Sequence, residues 1–259
     1  MISLLSTANE YIDYFKGIRI STRPDCIDEE TLTLLKSFSV TSIELGAQSM
    51  SDEVLRVNTR GHNSDCVRTA SQLIKQYGFS LGLQMMTGLY GSNDDTDLYT
   101  AQEFIRLSPD TVRIYPTVVL EGTKLAEHFV SGEYNPQTVD SAVNLCAQLI
   151  PMFEDAGINV IRVGLHSSDT MESSIIAGAY HPAFRELCEN RIFLTNILKK
   201  LAEDNIPKGK LTIKVASGAV SKATGQKKSN LTVLMNMGYI PQITEDVSLT
   251  GRQIKIEEG

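Results

Sequence analysis

The sequence predicts an α/β fold, a partial (β/α) barrel of parallel strands followed by a small α/β appendage. Three observations predict it. Short apolar runs alternate with amphipathic stretches of helical period from Ile2 to Asn205. The connections between apolar runs are long enough to hold a helix, as parallel pairing with right-handed crossovers requires. The composition, 42% hydrophobic and 21% charged over 259 residues, is that of an ordinary globular chain.

Taken in order, Ile2–Lys16 places Leu4, Leu5, Ala8, Tyr11, Ile12 and Phe15 at helical spacing before Gly17. Ile18–Thr22 reads as a strand. Asp28 caps a helix through Phe38, with Glu29 and Glu30 favourable in its first turn. Thr41–Gly46 is a second strand, followed by a short helix from Ser51 and a longer one from Asn63 or Ser64 to Tyr77. Phe79–Met86 is a strand, Asp95–Leu107 a helix and Thr111–Tyr115 a strand. Asn135-Pro136 opens a helix to Ala156 with a kink at Pro151, by capping and by proline at the first helical position. Asn159–Leu165 is a fifth strand, and His181-Pro182 opens a helix ending near Asn205. Beyond it Leu211–Val215 and Gln253–Ile256 read as strands around a helix, Ser229–Met237. Residues 1–205 are thus expected to form the barrel and 206–259 the appendage.

No apolar run approaches the roughly eighteen residues of a membrane span, and the first residues lack a basic leader. A cytoplasmic protein without membrane partners is expected. Cys26, Cys66, Cys146 and Cys188 lie far apart, so no local metal or cluster loop is expected and no metal ligand is assigned. The net charge is −7, yet Ile206–Gly259 holds eight Lys and Arg against four Asp and Glu. Its Lys222, Lys227 and Lys228 suit either RNA phosphates or solvent. His62, His166 and His181 share no metal spacing. Ser167-Ser168 and Ser173-Ser174 lack the Gly-x-Ser-x-Gly setting of a hydrolase nucleophile.

Strand alternation makes the interior legible. Ile43, Leu45, Leu81, Leu83, Val112 and Ile114 belong toward the helices, so Ser21, Arg23, Glu44, Gln48, Gln84, Arg113 and Tyr115 converge on the barrel lumen. Buried polar groups need partners, so such a lumen either binds something or satisfies itself, for instance through Glu44 with Arg23 or Arg113.

At these strand ends five motifs follow in order: Ile20-Ser-Thr-Arg-Pro-Asp25, Glu44-Leu-Gly-Ala-Gln-Ser49, Asn58-Thr-Arg-Gly-His62, Met85-Met-Thr-Gly-Leu-Tyr-Gly91 and Arg113-Ile-Tyr-Pro-Thr117. Together they resemble the radical S-adenosylmethionine domain of the elongator catalytic subunit and, more distantly, oxygen-independent coproporphyrinogen dehydrogenase. Gly132-Glu-Tyr-Asn-Pro136, Val160-Ile-Arg-Val-Gly-Leu165 and His181-Pro-Ala-Phe-Arg-Glu-Leu187 resemble the bacterial branch.

The resemblance implies a TIM-like partial barrel, S-adenosylmethionine and a [4Fe–4S] cluster, at which reductive cleavage gives a 5′-deoxyadenosyl radical, with uridine in tRNA or a small organic or tetrapyrrole-like molecule as the substrate. It implies cofactor contacts at Ser21, Gln48 and Arg60, and at Gln84, where relatives have His or Asp. It leaves Arg23, Glu44, Arg113 and Tyr115 as lumenal or substrate-facing groups and names no catalytic residue. The family's proline between Gly88 and Gly91 is Tyr90 here. The family's CxxxCxxC loop and first two strand–helix units have no counterpart in these residues, nor has the elongator subunit's acetyltransferase domain. The expectation is a fragment inactive alone, with an open edge on Ile18–Thr22 that an N-terminal segment or chain would complete, and with a basic tail for tRNA. The competing expectation is a non-catalytic remnant that binds a nucleotide or partner chain through that edge. An unrelated barrel lyase would need a lumenal strand-end lysine, which these strands lack.

Overall fold

The computed structural model describes residues 2–166 and 172–258, so Ser167 and Ser168 lie outside it. The chain divides into two compact units, Met1–Leu145 with Leu149–Pro182, and Cys146–Gln148 with Ala183–Gly259. The expected boundary after residue 205 differs from this division by one helix, Phe184–Glu203, which falls in the second unit.

The first unit opens with α1 (Ile2–Asn9), which does not run to Lys16 as expected but breaks before a 3-10 turn at Ile12–Tyr14. Only Leu5 of α1 is buried, while Leu4, Tyr14 and Phe15 are 77%, 80% and 67% exposed. Packing therefore holds no further turns in place.

The strands β1 (Ile18–Thr22), β2 (Val40–Gln48), β3 (Ser80–Thr87), β4 (Thr111–Pro116), β5 (Val118–Leu120), β6 (Asn159–Val163) and β7 (Ile175–Gly178) follow in chain order. Five of them form one sheet in the order β1-β2-β3-β4-β6, every pairing parallel, with β1 at an edge as expected. The short β5 and β7 form a separate antiparallel pair that the sequence did not announce.

Between the strands lie α2 (Glu29–Ser37), α3 (Asp52–Val57), α4 (Ser64–Gln76), α5 (Asp94–Leu107), α6 (Lys124–Val130) and α7 (Val139–Asp155). Each is capped by a side chain taking a backbone N–H, at Asp28, Ser51, Asn63, Asn93, Thr123 and Thr138 respectively. α7 therefore does not begin at Asn135-Pro136. Thr138 Oγ1 accepts from Ser141 N at 3.1 Å and sets the start three residues later than expected.

Alternation sorts the sheet's two faces. Ile43, Leu45, Leu81, Leu83, Val112 and Ile114 are all 0% exposed, and each such burial is worth about 1.5–3 kcal/mol. On the other face Ser21 pairs in register with Glu44, Glu44 with Gly82, and Gln84 with Arg113.

In the second unit the Phe184–Glu203 helix precedes β8 (Lys210–Val215), short helices at Val220–Thr224 and Ser229–Asn236, β9 (Ile240–Glu245) and β10 (Ile254–Glu258). The helix starts at Phe184 and not at His181-Pro182. The sheet order is β10-β8-β9, with β9 parallel to β8 and β10 antiparallel to it. Phe193, Ile197, Leu201, Leu211, Ile213, Val215 and Leu234 form its core. Among the described residues no helix is long and apolar enough to cross a membrane.

Candidate functional site

At the C-terminal ends of β1, β2 and β3 lies a cavity of about 610 Å³, lined by Ser21, Thr22, Arg23, Cys26, Gly46, Gln48, Thr59, Arg60, His62 and Gln84. It gathers Ser21, Gln48, Arg60 and Gln84, the four residues to which the sequence pointed for a cofactor, together with Arg23. Gln84 Nε2 stands 3.4 Å from Gln48 Oε1, so the two amides share one side of the sheet.

Gln48 reaches the cavity by a route that alternation does not describe. Ala47 bulges out of the ladder, Gly46 pairing with Gln84 and Gln48 with Met85. Gln48 then adopts φ 67°, a left-handed backbone rare for a side-chain-bearing residue. Its amide swings over Gly46, where an added Cβ would lie 2.8 Å from Gln48 Nε2. A side chain at Gly46 would therefore displace the glutamine amide from this position.

Arg60 is half-buried, and its guanidinium has no hydrogen-bond or ion-pair partner among the described residues. Burial, and then the like charge of Arg23, lower its pKa from the ordinary value. A desolvated cation without a counterion is suited to an anion, and the fork of a guanidinium to a carboxylate in particular. Arg23, by contrast, is already engaged. It donates from Nε and Nη2 to Asp25 at 2.9 and 2.6 Å, and this hydrogen bonding holds the Asp25 carboxyl below its ordinary value.

His62 places its ring nitrogens 3.1 Å from Ala47 O and 3.2 Å from Arg60 O, tying the Arg60 loop to the bulged carbonyl. Sequence reasoning gave His62 a structural place without naming what it holds. Thr59, at φ 52°, and Thr22 also line the cavity and were not foreseen.

The remaining lumenal group is held by an ion pair that leaves Glu44 Oε2 and Arg113 Nε outside hydrogen-bond geometry. Arg113 Nε lies 2.8 Å from Glu44 Oε2, the two side chains being 19% and 3% exposed, and Arg113 Nη1 donates to Tyr115 Oη at 3.1 Å. Gly82 makes room for Glu44, since a Cβ there would sit 3.2 Å from Glu44 Cγ. Arg162 was missed. A bulge at Ile161 turns it into register with Arg113, and its Nη2 meets His166 Nε2 at 3.0 Å.

Beside β3 a second cavity of about 600 Å³ is lined by Gly88–Asp95 and by Glu133, Tyr134, Asn135 and Gln137. The Gly88 peptide is held at both ends. Its N–H donates to Asp97 Oδ2 at 2.9 Å, and its carbonyl accepts from Tyr134 Oη at 2.6 Å. Asn58 Nδ2 donates to Tyr90 O at 2.7 Å, and Tyr90 stacks on His128 at 4.6 Å, so this loop is organised without the family's proline.

Burial pushes the Asp97 carboxyl from 3.8 up to about 7. An acid whose folded pKa is raised keeps its proton longer than in the unfolded chain. Its contribution to stability is full below the unfolded value of 3.8 and is lost as pH rises to about 7. Urea unfolding across that window should therefore show Asp97→Asn gaining on the wild type as pH rises. Parallel pH profiles would refute this.

No three His, Cys, Asp or Glu side chains come together as metal ligands would among the described residues. Cys26 is exposed, Cys66 half-buried, and Cys146 and Cys188 buried. These residues do not fit a [4Fe–4S] cluster.

Against known proteins, the Radical SAM superfamily profile matches residues 3–104 and the Radical_SAM C-terminal domain profile residues 109–193. The chain belongs to the radical SAM superfamily. It is 33% identical over 181 residues to tRNA uridine(34) acetyltransferase of Dehalococcoides mccartyi, covering 68% of this chain and 39% of that protein. It is 31% identical over 179 residues to human Elongator complex protein 3, covering 68% and 32%. The structure of Methanocaldococcus infernus Elp3 with an N-terminal deletion superposes with a TM-score of 0.61 at 25% identity, over 74% of this chain and 44% of that one. Coproporphyrinogen III oxidase (HemN) of Escherichia coli shares the fold at a TM-score of 0.50 and 17% identity, over 60% of this chain and 37% of that one. This radical SAM chain thus spans less than half the length of these relatives, and the two profile matches together take in its parallel sheet.

Proposed function

We propose that this chain is the S-adenosylmethionine-binding part of a radical SAM enzyme acting on uridine in tRNA, with its cluster ligands supplied by residues outside the chain. The observation that carries the cofactor assignment is Arg60, a half-buried cation without a partner among the described residues, facing the cavity that Ser21, Gln48 and Gln84 also line. The donor set fits the molecule. A guanidinium suits the methionyl carboxylate, while a hydroxyl and two amides suit ribose hydroxyls and base edges. When bound, S-adenosylmethionine supplies in this superfamily the nucleoside-derived radical that abstracts hydrogen from substrate. The residues of this chain would bind it, orient it and exclude water. Glu44, Arg113 and Tyr115 would form the rigid floor beneath it. The transfer RNA substrate rests on the resemblance to tRNA uridine(34) acetyltransferase and on the basic C-terminal residues.

Isothermal titration of the purified chain tests the reading. S-adenosylmethionine should bind saturably, and about tenfold more tightly than 5′-methylthioadenosine, which lacks the carboxylate. Absence of saturable binding, or equal affinity for the two, would refute it.

A further inference from the structure

The second unit carries chemistry that the cofactor cavity does not use. Its chain order is β8, the Val220–Thr224 helix, the loop Gly225-Gln-Lys-Lys228, the Ser229–Asn236 helix and β9, with β8 and β9 parallel. Strand, helix, glycine loop, helix, strand is the order of the KH module, in which a GxxG loop clamps the backbone of four nucleotides. We propose that this unit binds single-stranded RNA, with Gly225–Lys228 gripping its phosphates. This deepens the transfer RNA reading above by naming the loop and the unpaired state of the segment it holds.

Three features of the loop support the assignment. Gly225 has φ 79°, and a Cβ there would lie 2.4 Å from Ser229 Oγ and 2.9 Å from Asn230 N. Only glycine lets the two helices close this tightly. Lys227 and Lys228 follow with φ 52° and 62°, two consecutive left-handed residues that are not glycine. Lys228 stands where a GxxG loop has its second glycine, meeting the same backbone demand while adding a charge. Both lysine side chains are exposed and have no ion-pair partner among the described residues.

The loop is also well supported. Asn230, 3% exposed, donates Nδ2 to Ala223 O at 3.0 Å and to Asn190 O at 2.8 Å, locking the second helix to the first and to the long helix. Further along, Val233 and Met237 remain 36% and 42% exposed four residues apart, apolar surface on which unstacked bases can rest. With eight basic residues against four acidic ones from residue 206 onward, the surroundings complement a polyanion.

Fluorescence anisotropy of the full chain with a labelled, unstructured RNA of about ten nucleotides tests the proposal. The wild type should bind this strand more tightly than the same sequence in a duplex. K227D/K228D should weaken binding by at least about tenfold and flatten the salt dependence by about two phosphate contacts, and K228G by about one, with circular dichroism melts unchanged. The charge-matched K208D/K210D, at the opening of β8, should leave affinity within about twofold.

Equal affinity for duplex, or equal damage from K208D/K210D, would overturn the proposal in favour of diffuse charge. Wild-type affinity in K227D/K228D would overturn it outright. Intact transfer RNA titrated in parallel separates the two readings. If it binds alike with wild type and K227D/K228D, the loop assignment falls and the transfer RNA reading stands. If it binds neither, that reading falls too.

Discussion

Arg60→Ala should weaken S-adenosylmethionine binding about 10- to 100-fold while leaving 5′-methylthioadenosine unaffected. The reason is electrostatic. Arg60 is half-buried, meets no counter-charge among the described residues and faces the like charge of Arg23. An incoming carboxylate relieves that unfavourable state, and a charge-assisted hydrogen bond contributes about 1.5–3 kcal/mol. Methylthioadenosine has no carboxylate and so has nothing to lose. Titration calorimetry of both ligands against both proteins separates this from a general loss of cavity shape. A mutant weakened equally toward the two would show that Arg60 acts only on the loop's conformation.

Arg113→Met should destabilise the first unit by about 3 kcal/mol, because it strands Glu44, whose side chain is 3% exposed. The figure is taken at the low end since Arg113 is itself 19% exposed, so solvent already screens part of the interaction. The double variant Glu44→Gln with Arg113→Met removes both charges and should recover most of the stability. Urea titrations near neutral pH decide the matter. A double variant no more stable than Arg113→Met would mean that the loss comes from packing around the arginine stem.

The parallel sheet was legible because its evidence is redundant. Ile43, Leu45, Leu81, Leu83, Val112 and Ile114 announce one buried face through alternation alone, and all six are 0% exposed. What escaped is local and irregular. Three residues at β5 and four at β7 are too short for any period to register. Thr138 outcompeted Asn135 as the cap of α7, a contest that is settled by where the chain turns and not by residue type. Arg162 escaped because strict alternation puts it on the side of Val160, and the bulge at Ile161 reverses that.

The cavity tells the same story. Ser21 and Gln84 follow from strand parity, and Arg60 from its motif. Asp97 drew no reading from the sequence, since burial and a bond to Gly88 N do not show there. Gln48 lines the cavity, although its position depends on a left-handed backbone that parity does not contain.

The irregularity in β2 reaches further than Gln48. By stepping out of the ladder, Ala47 frees its carbonyl to accept from His62 Nε2, and His62 in turn contacts the backbone of Arg60. One surplus residue in a strand thus serves as the mooring for a separate loop. Drift toward a perfectly regular β2 would cast that loop loose and move Gln48 as well, so strand length here is constrained in steps of one.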